Sequence, residues 1–527
     1  MAALNLDRVV AVIGSGAMGA GIAQVAALAG YTVRLYDTRP EAVAKAIAGI
    51  DAALEKLVAK ERLGAAERAA AFARLHAAAA LDDVADAGLV VEAIVENLDA
   101  KRALFAQLEV MVADDCMLAT NTSSISVTAI AASLRLPGRL VGMHFFNPVP
   151  LMALCEVVSG LATDAALAQI VFDTAAAWGK HPVHASSTPG FIVNRVARPF
   201  YAEGWRLLNE QAADAATIDA VMREAGGFRM GPFELMDLIG HDVNFSVTQS
   251  VFNAYFQDPR FTPSVRQQEM VNAGFLGRKT GRGLFQYGGD AAAAAPAAQA
   301  EAAQPKPEYV SFTSEQGAAS RVAGGAVMDA LAARLRAAGI EIVHRKMQEA
   351  IRNGGHDESP AFHCNGAAVY LTDGRSATQR ACDNNHPDTV LVDLALDYSS
   401  AKRIAVARAD QCAPAAYLAV VGLLQAAGFA VTRLDDVPGM AVMRTVAMLA
   451  NEAADAVNQG VCSAAAADIA MQKGVNYPRG PLAWADAVGI EHMVRVLANL
   501  AAGYGEDRYR VSPLLRRKQA GGGRFHE

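Results

Sequence analysis

Apolar runs alternate with helix-forming segments along the first part of the chain. Four of these runs, at residues 9–13, 33–37, 89–93 and 140–143, have the apolar character of buried strands. The segments between them are rich in alanine, leucine and charged residues, which favours helices. The alternation predicts a parallel sheet that is covered by helices.

A helical stretch near residues 190–245 recurs 249 positions later, near residues 439–495. The repeat needs no gap over about 50 positions, so it indicates a second copy of one helical unit. Identities at this offset include Pro189-Gly190 with Pro438-Gly439, Arg195 with Arg444, Asp219 with Asp468, and Gly231-Pro232 with Gly480-Pro481. Apolar runs at 389–394 and 430–434 precede the second copy, and they predict a shortened α/β region there.

An alanine-, proline- and glutamine-rich stretch at 288–308 has no large apolar residue for a core, which is typical of a linker. We therefore predict an α/β domain over 1–187, a helical domain over 188–287, a linker over 288–308, a reduced α/β domain over 309–437 and a second helical domain over 438–527. The first domain has one oversized crossover. Residues 41–77 there predict a pair of helices that projects from the sheet and can cover a ligand.

Composition and charge exclude several classes of protein. Of the 527 residues, 53% are hydrophobic and 19% are charged, which is incompatible with a wholly disordered or fibrous chain. A net charge of −7 provides no basis for binding nucleic acid or an anionic membrane. The six cysteines form no C-x-x-C pair, so we expect neither a disulfide framework nor a metal site. With no leader and no long apolar segment, we expect a cytoplasmic protein.

A glycine motif follows the first predicted strand. Gly14, Gly16 and Gly19 have the G-x-G-x-x-G spacing that allows a tight turn, close approach of a pyrophosphate and close packing of helix on strand. Asp37 ends the second predicted strand, where a carboxylate accepts hydrogen bonds from the ribose of NAD and repels the extra phosphate of NADP. The segment predicts a Rossmann domain that binds NAD.

Three polar residues in apolar surroundings are candidates for chemistry. His144 follows a short apolar run and can accept a proton near neutral pH. Glu156 lies within an apolar run and needs a partner if buried, for which a histidine is suited. Asn194 stands at an apolar helix start. Taken alone, His144 can also be an ordinary core histidine, and Asn194 can be a helix cap.

These residues fall in a set of motifs that resembles the NAD-dependent L-3-hydroxyacyl-CoA dehydrogenases. The motifs are the glycine turn at 14–19, EAIVEN at 92–97, NTSS at 121–124, HFFNPVP at 144–150, PGFIVNR at 189–195 and GPFEL at 231–235. The resemblance covers about residues 6–287. Beyond the predicted linker, the second helical copy is similar to the C-terminal duplication of long bacterial 3-hydroxybutyryl-CoA dehydrogenases, including those of phenylacetate-type catabolism.

The resemblance implies a fold, a reaction and a role for each site residue. It implies a Rossmann domain, an all-α domain, a degenerate Rossmann-like α/β domain and a second all-α domain. The implied reaction is NAD-dependent oxidation of an (S)-3-hydroxyacyl-CoA to the 3-oxoacyl-CoA. The implied roles are general base for His144, orientation of that base for Glu156, substrate-oxygen contacts for Ser123 and Asn194, nicotinamide-ribose contacts for Glu96, Lys101 and Asn121, and a CoA-phosphate contact for Lys60. An exposed lysine at position 60 can equally be solvated.

The second copy departs from this pattern. The 249-residue offset places Asp393 at the position of His144, Ala405 at that of Glu156 and Met443 at that of Asn194. We therefore predict a catalytically silent back half. Helical domains of this family pair across dimers, so the two copies can pair within one chain, and a homodimer is a further expectation. The alternative functions are a dehydrogenase of a CoA-free β-hydroxy acid and a non-catalytic NAD-binding protein.

Overall fold

A computed structural model describes residues 2–288, 297–313, 325–345 and 360–526. The chain divides into two compact units. The first contains Met1–Arg195 and Gln459–Asn476, and the second contains Val196–Asn458 and Tyr477–Glu527.

Eight strands form the sheet of the first unit. They are β1 (Val9–Ile13), β2 (Val33–Tyr36), β3 (Leu75–Ala77), β4 (Ala87–Glu92), β5 (Met117–Thr120), β6 (Leu140–Phe145), β7 (Leu154–Ser159) and β8 (His181–Ser186). Their order in space is β3-β2-β1-β4-β5-β6-β7-β8. Neighbours are parallel except β6 and β7, which are antiparallel. The central strands are buried on both faces, as expected from their nearly continuous apolar sequence.

The helices of the first unit follow the strands in the order of a doubly wound domain. They are α1 (Ala17–Leu28), α2 (Pro40–Ala59), α3 (Ala65–Ala73), α4 (Leu98–Met111), α5 (Val127–Ala131) and α6 (Ala165–Ala177), and the short α7 (Val193–Val196) lies where the chain leaves the unit. Helices α2 and α3 occupy most of the long crossover, and the end of that crossover forms β3. Both helices contact α1.

A segment from the far end of the chain completes the first unit. Helix α17 (Ala464–Gly474) packs against β7 and β8. Ser186 binds the preceding loop, because its amide donates to the carbonyl of Val461 at 2.8 Å and its hydroxyl donates to the carbonyl of Gly460 at 2.9 Å. A Cβ on Gly474 would lie 2.6 Å from the Leu154 side chain and 3.0 Å from the Val193 side chain, so any larger residue would require these side chains to shift.

Helices form most of the second unit. They are α8 (Arg198–Asn209), α9 (Ala215–Glu224), α10 (Pro232–Ile239), α11 (His241–Ala254), α12 (Val265–Asn272), α13 (Gly325–Ala337), α14 (Ala377–Asp383), α15 (Pro414–Ala426), α16 (Val442–Asn458), α18 (Pro481–Val488), α19 (Ile490–Tyr504) and α20 (Pro513–Ala520). Glycine followed by proline starts α10 and α18, the equivalent helices of the two copies.

The second unit also contains a sheet. Its strands are β9 (Tyr309–Thr313), β10 (Glu341–Arg345), β11 (Phe362–Cys364), β12 (Ala367–Leu371), β13 (Thr389–Val392), β14 (Arg403–Arg408) and β15 (Ala430–Arg433), in the spatial order β10-β9-β11-β12-β13-β14-β15. The pairing directions from β12 to β15 repeat those from β5 to β8. The predicted fold class, two α/β regions that alternate with two all-α regions, is confirmed.

Buried ion pairs connect α16 with α8 and with the segment around Arg260 inside the second unit. Arg444 on α16 is fully buried and donates to Glu203 at 2.7 Å and to Glu210 at 2.8 Å, both on or beside α8. Arg260 is also buried and pairs with Glu452 at 3.0 Å and with Asp455. Each buried cation of these pairs is thus compensated by carboxylates.

Part of the predicted linker is bound to the second unit. Residues 289–296 lie outside the described residues, and 297–308 form neither helix nor strand. The amide of Gln299 donates to Thr217 at 2.9 Å, and the amide of Glu301 donates to the carbonyl of Val431 at 2.8 Å. In the described parts of the chain, no helix combines the length and hydropathy needed to cross a membrane.

Candidate active site

The glycine motif forms a turn at the carboxyl end of β1. Gly14 has φ of +103°, and a Cβ there would lie 2.5 Å from the carbonyl oxygen of Ala93. A Cβ on Gly19 would lie 1.8 Å from the carbonyl oxygen of Gly14, so helix and turn can only pack this closely without a side chain. Gly16, by contrast, faces open space, with no atom within 4 Å of a Cβ. It is the N-cap residue of α1, where free amides can receive a pyrophosphate.

Asp37 stabilises the same turn. Its carboxylate accepts hydrogen bonds from the amide of Ser15 at 2.9 Å and from the Ser15 hydroxyl at 2.8 Å. Burial would raise the pKa of Asp37, but the hydrogen bonds from Ser15 and Arg39 outweigh burial and lower that pKa. The carboxylate is therefore ionised at neutral pH. It lines a cleft of about 610 Å³ together with Gly14, Gly16 and Arg39, and these residues fit the adenosine half of NAD.

A buried charge cluster lies at the ends of β4 and β5. Lys101 is 1% exposed, and its Nζ donates to Glu92 at 2.6 Å and lies 3.4 Å from a carboxylate oxygen of Glu96. Glu92 also accepts from the Thr120 hydroxyl at 2.7 Å. The hydrogen bond to Glu92 fixes the Lys101 ammonium group, and the charge of that group attracts the carboxylate of Glu96.

Glu96 binds the loop that carries Ser123. One carboxylate oxygen accepts from the Thr122 hydroxyl at 2.6 Å and from the amides of Ser123 and Ser124 at 3.0 and 3.1 Å. Burial would raise the pKa of Glu96, but the Thr122 hydrogen bond and the charge of Lys101 outweigh it and lower that pKa. The loop is thus fixed by an ionised carboxylate.

His144 and Glu156 form a buried pair on neighbouring strands. They are opposite each other in the antiparallel register of β6 and β7, and His144 Nδ1 lies 2.6 Å from a carboxylate oxygen of Glu156. The imidazole is flanked by the rings of Phe146 and Phe191, at centroid distances of 4.5 and 5.7 Å. No hydrogen bond links His144 Nε2 to any residue in the described ranges, so this nitrogen can serve a substrate.

The second oxygen of Glu156 binds the start of a helix. It accepts from the amides of Ile192 and Val193, each at 3.0 Å. Asn194 is the next residue and is half-buried in α7. One carboxylate therefore fixes both the histidine and the backbone beside Asn194.

The remaining predicted residues are placed differently. Asn121 accepts a hydrogen bond from the amide of Phe145 at 2.9 Å, which ties the end of β5 to the end of β6. Lys60 is exposed at the end of α2 and pairs with no described residue. The structure therefore does not bring Lys60 into the cluster around His144.

Sequence reasoning missed Glu92 and the segment that contains Cys462. A charged residue within the apolar run of β4 is the signal that could have found Glu92. Cys462 precedes α17, and burial raises the pKa of its thiol to about 12, with a further contribution from the charge of Glu156. No pattern in the second helical copy indicates that its residues come close to Glu156.

The second copy has a different carboxylate arrangement. Asp393, at the position equivalent to His144, is buried and accepts from the amides of Ala441, Val442 and Met443 at 2.8 to 3.0 Å. These are the positions equivalent to Ile192, Val193 and Asn194. Burial raises the pKa of Asp393 to about 6. Asp393 therefore accepts hydrogen bonds from the start of α16 in the second copy. In the first copy, Glu156 accepts them from the equivalent helix start, at Ile192 and Val193.

The cofactor cleft adjoins the carboxyl ends of β1 and β2, and His144 lies near the carboxyl end of β6 in the same sheet, as in nicotinamide-dependent dehydrogenases. Glu156 lies opposite His144 in the first half of the antiparallel strand β7. Family models match most of the chain. They describe a 3-hydroxyacyl-CoA dehydrogenase NAD binding domain at 9–188, a C-terminal domain of the same enzymes at 190–287 and 439–523, and a 3-hydroxybutyryl-CoA dehydrogenase reduced Rossmann-fold domain at 369–438. The chain therefore belongs to the 3-hydroxyacyl-CoA dehydrogenase family. The predicted family, NAD cofactor and enzyme class are confirmed.

Relatives of two lengths support this assignment. The chain is 43% identical to the 3-hydroxyadipyl-CoA dehydrogenase of Escherichia coli K12 over 97% of both chains. A crystal structure of 3-hydroxybutyryl-CoA dehydrogenase from E. coli K12 superposes with a TM-score of 0.82 at 42% identity, and the match covers 98% of this chain and 99% of that one. The human mitochondrial hydroxyacyl-coenzyme A dehydrogenase is 40% identical over 53% of this chain and 90% of its own length.

Proposed function

We propose that His144 is the general base in NAD-dependent oxidation of an (S)-3-hydroxyacyl-CoA. The observation that carries this proposal is the 2.6 Å contact between His144 Nδ1 and Glu156, which leaves Nε2 without a partner among the described residues. Nε2 removes the proton of the 3-hydroxyl group, and NAD, when bound, accepts the hydride from C3. In the reverse reaction His144 returns the proton.

Glu156 is proposed as the residue that orients His144 and stabilises its protonated form. Its two amide hydrogen bonds and complete burial support this role, because a fixed carboxylate selects one ring orientation. Ser123 and Asn194 are proposed to donate to substrate oxygens as negative charge develops. The hydrogen bonds from the loop to Glu96 support a preorganised Ser123.

Glu96 and Asn121 are proposed to contact the nicotinamide ribose, and Lys101, for which the resemblance implied the same contact, is proposed to position Glu96. Their positions support these roles, because Glu96 and Lys101 follow β4 in the chain and Asn121 follows β5. Lys101 has a carboxylate on each side and acts through Glu96 in this scheme.

The substrate is proposed to be a CoA thioester whose acyl chain ends in a free carboxylate. The full-length relative named 3-hydroxyadipyl-CoA dehydrogenase supports the dicarboxylyl acyl group. Lys60 is the proposed contact for a CoA phosphate. We also propose a reducing, cytoplasmic location, which the six free cysteines support.

Initial rates of NADH formation test the reaction. We expect turnover of 3-hydroxyadipyl-CoA and 3-hydroxybutyryl-CoA with NAD, and none of free 3-hydroxybutyrate. Lys60→Ala should raise the KM for the CoA thioesters, and Lys56→Ala on the same helix should not. Oxidation of the free acid at a comparable rate would instead favour a dehydrogenase of CoA-free β-hydroxy acids.

The back half is proposed to serve as an intramolecular partner and not as a second catalyst. The ion pairs of Arg444 and Arg260 support pairing of the helical copies within one chain. Deletion of residues 300–527 tests this. We expect the front half to be insoluble or inactive, and a stable, active fragment would contradict the proposal.

A further inference from the structure

A segment of the second helical copy belongs to the first compact unit and contacts the strand that carries Glu156. This segment, Gln459–Asn476, contains α17, which packs against β7 and β8. Its beginning is bound by Ser186, the last residue of β8, whose amide and hydroxyl donate to the carbonyls of Val461 and Gly460. We call Gln459–Asn476 the α17 segment.

The second unit contains the reverse of this contact. The amide of Asp435 donates to the carbonyl of Ala212 at 2.8 Å, and at the 249-residue offset these two residues are equivalent to Ser186 and Val461. Likewise α9, the equivalent of α17, packs against β14, the equivalent of β7. Each helical copy therefore supplies one helix to the α/β region that precedes the other copy. Such an exchange is typical of an isologous interface, in which the same two surfaces meet twice.

The end of α17 contacts both β7 and the start of α7. A Cβ on Gly474 would lie 2.6 Å from the Leu154 side chain, on β7, and 3.0 Å from the Val193 side chain, on α7. These two side chains are 0% and 2% exposed, so neither can move aside into solvent. A side chain at position 474 would therefore displace β7, the start of α7, or both.

These two elements hold the carboxylate of Glu156 from both sides. Glu156 lies two residues after Leu154 on β7. One of its oxygens accepts from the Val193 amide at 3.0 Å, and the other lies 2.6 Å from His144 Nδ1. A shift between β7 and the start of α7 would lengthen the Val193 hydrogen bond and turn the carboxylate relative to the histidine. Cys462, near the other end of the α17 segment, is close enough to Glu156 to interact with it electrostatically.

We propose that the α17 segment positions Glu156 for catalysis, with Gly474 as its positioning residue. The second copy then contributes geometry to the active site of the first, although it lacks the catalytic side chains. The inference rests on the function proposed above, in which Glu156 orients the general base. Such orientation tolerates little displacement, because a misplacement of about 1 Å can reduce a rate about a hundredfold.

The first experiment measures the full-length enzyme with 3-hydroxybutyryl-CoA and NAD. Gly474→Ala introduces one methyl group against Leu154 and Val193. We expect kcat to fall about tenfold while the KM for NAD changes by less than about twofold. Gly503→Ala is the matched control, because Gly503 is an exposed residue of α19 with no atom within 4 Å of a Cβ. Its kcat should equal that of the wild type.

Two double variants distinguish positioning of Glu156 from a general structural effect. Leu154→Val removes the carbon that lies nearest to the new methyl group, so Gly474→Ala combined with Leu154→Val should regain most of the wild-type kcat. Glu156→Gln removes the charge through which Gly474 is proposed to act. In that background, Gly474→Ala should lower kcat by less than about twofold, because the two effects are not additive.

Ser186→Ala is a second test if Gly474→Ala does not fold. It adds no volume and removes the hydrogen bond from the Ser186 hydroxyl to the carbonyl of Gly460. It should lower kcat about threefold in the wild-type background and leave kcat unchanged in the Glu156→Gln background.

An unchanged kcat in folded Gly474→Ala, an equal loss in the Glu156→Gln background, or no recovery with Leu154→Val would overturn the assignment. An unchanged kcat or an equal loss for Ser186→Ala would overturn it if Gly474→Ala cannot be purified. Turnover by the wild-type enzyme separates this inference from the proposed function. If the wild type does not oxidise 3-hydroxybutyryl-CoA, the function fails, whereas wild-type kcat in Gly474→Ala rejects only the role of the α17 segment.

Discussion

His144 and Glu156 lie directly opposite each other on two antiparallel strands, and their side chains meet at 2.6 Å. A shift of one residue in this register would turn one of the two side chains to the other face of the sheet. The pair is therefore fixed by strand alignment, and not by a mobile loop. This relationship leads to two predictions about catalysis.

Replacing His144 by Gln should lower kcat by about a thousandfold, because the general base is lost. NAD binding should be unchanged, since the cofactor cleft around Asp37 does not include His144. NADH formation and cofactor binding measured on the same protein check this. His181→Gln, an exposed histidine of β8, is the control. Turnover of acetoacetyl-CoA at the wild-type rate by His144→Gln would refute the mechanism.

Glu156→Gln and Glu156→Ala should separate charge from packing. Glutamine keeps an oxygen for the amides of Ile192 and Val193, so we expect a lower kcat at a nearly unchanged melting temperature. Glu156→Ala leaves two buried amides without acceptors. It should therefore lower kcat and also reduce the free energy of unfolding by about 3 kcal/mol. Thermal unfolding alongside steady-state kinetics distinguishes the two. Wild-type kcat in both variants would remove Glu156 from the mechanism.

Asp37→Asn should weaken the preference for NAD over NADP by about tenfold or more, because the charge that repels the extra phosphate is lost. The lowered pKa of Asp37 implies that the wild-type preference persists down to about pH 5. Rates with both cofactors from pH 5 to 8 check this. A wild-type preference that disappears between pH 7 and 5 would show that another group selects the cofactor.

Local patterns made parts of the molecule predictable. Gly14, Gly16 and Gly19 could be assigned because a turn and its helix lie within six residues. The pairing of Lys101 with Glu92 could not be predicted from the sequence, since it depends on how α4 packs beside β4. Strand β11, at Phe362–Cys364, has three residues and no alternation that distinguishes it from a loop. The 249-residue offset indicates a second helical copy, but not that α17 packs with the first sheet.

Arg444→Met should destabilise the second unit by about 3–5 kcal/mol, because the buried Glu203 loses the guanidinium that donates to it. Arg495→Met removes a surface pair with Glu491 and should cost less than about 1 kcal/mol. Denaturant unfolding compares the two. If the two variants unfold with nearly equal free energies, the buried pair of Arg444 and Glu203 contributes little to the stability of the second unit.

His492 should make the second unit sensitive to acid. Burial lowers its pKa to about 4, and its Nε2 lies 3.0 Å from the carbonyl oxygen of Thr372. The unfolded chain, with a pKa near 6.5, binds more protons between these values, so stability falls as the pH drops from about 6.5 towards 4. The contribution lost at pH 5 is about 2 kcal/mol.

His492→Gln keeps a donor for Thr372 and does not titrate. The difference in unfolding free energy between pH 7 and pH 5 should therefore shrink by about 2 kcal/mol in this variant. Parallel pH dependences of the variant and the wild type would exclude His492 as the titrating group.

Glu203 and Arg444 belong to a single polypeptide, so the step that joins them is first order and cannot be reversed by dilution. In a symmetric dimer every substitution appears on both sides of the interface, and each surface must fit its own copy. In the intramolecular pairing proposed above, the two sides are encoded separately. One side can then have Asp393 and Met443 where the other has His144 and Asn194, and still keep the contacts that stabilise its counterpart.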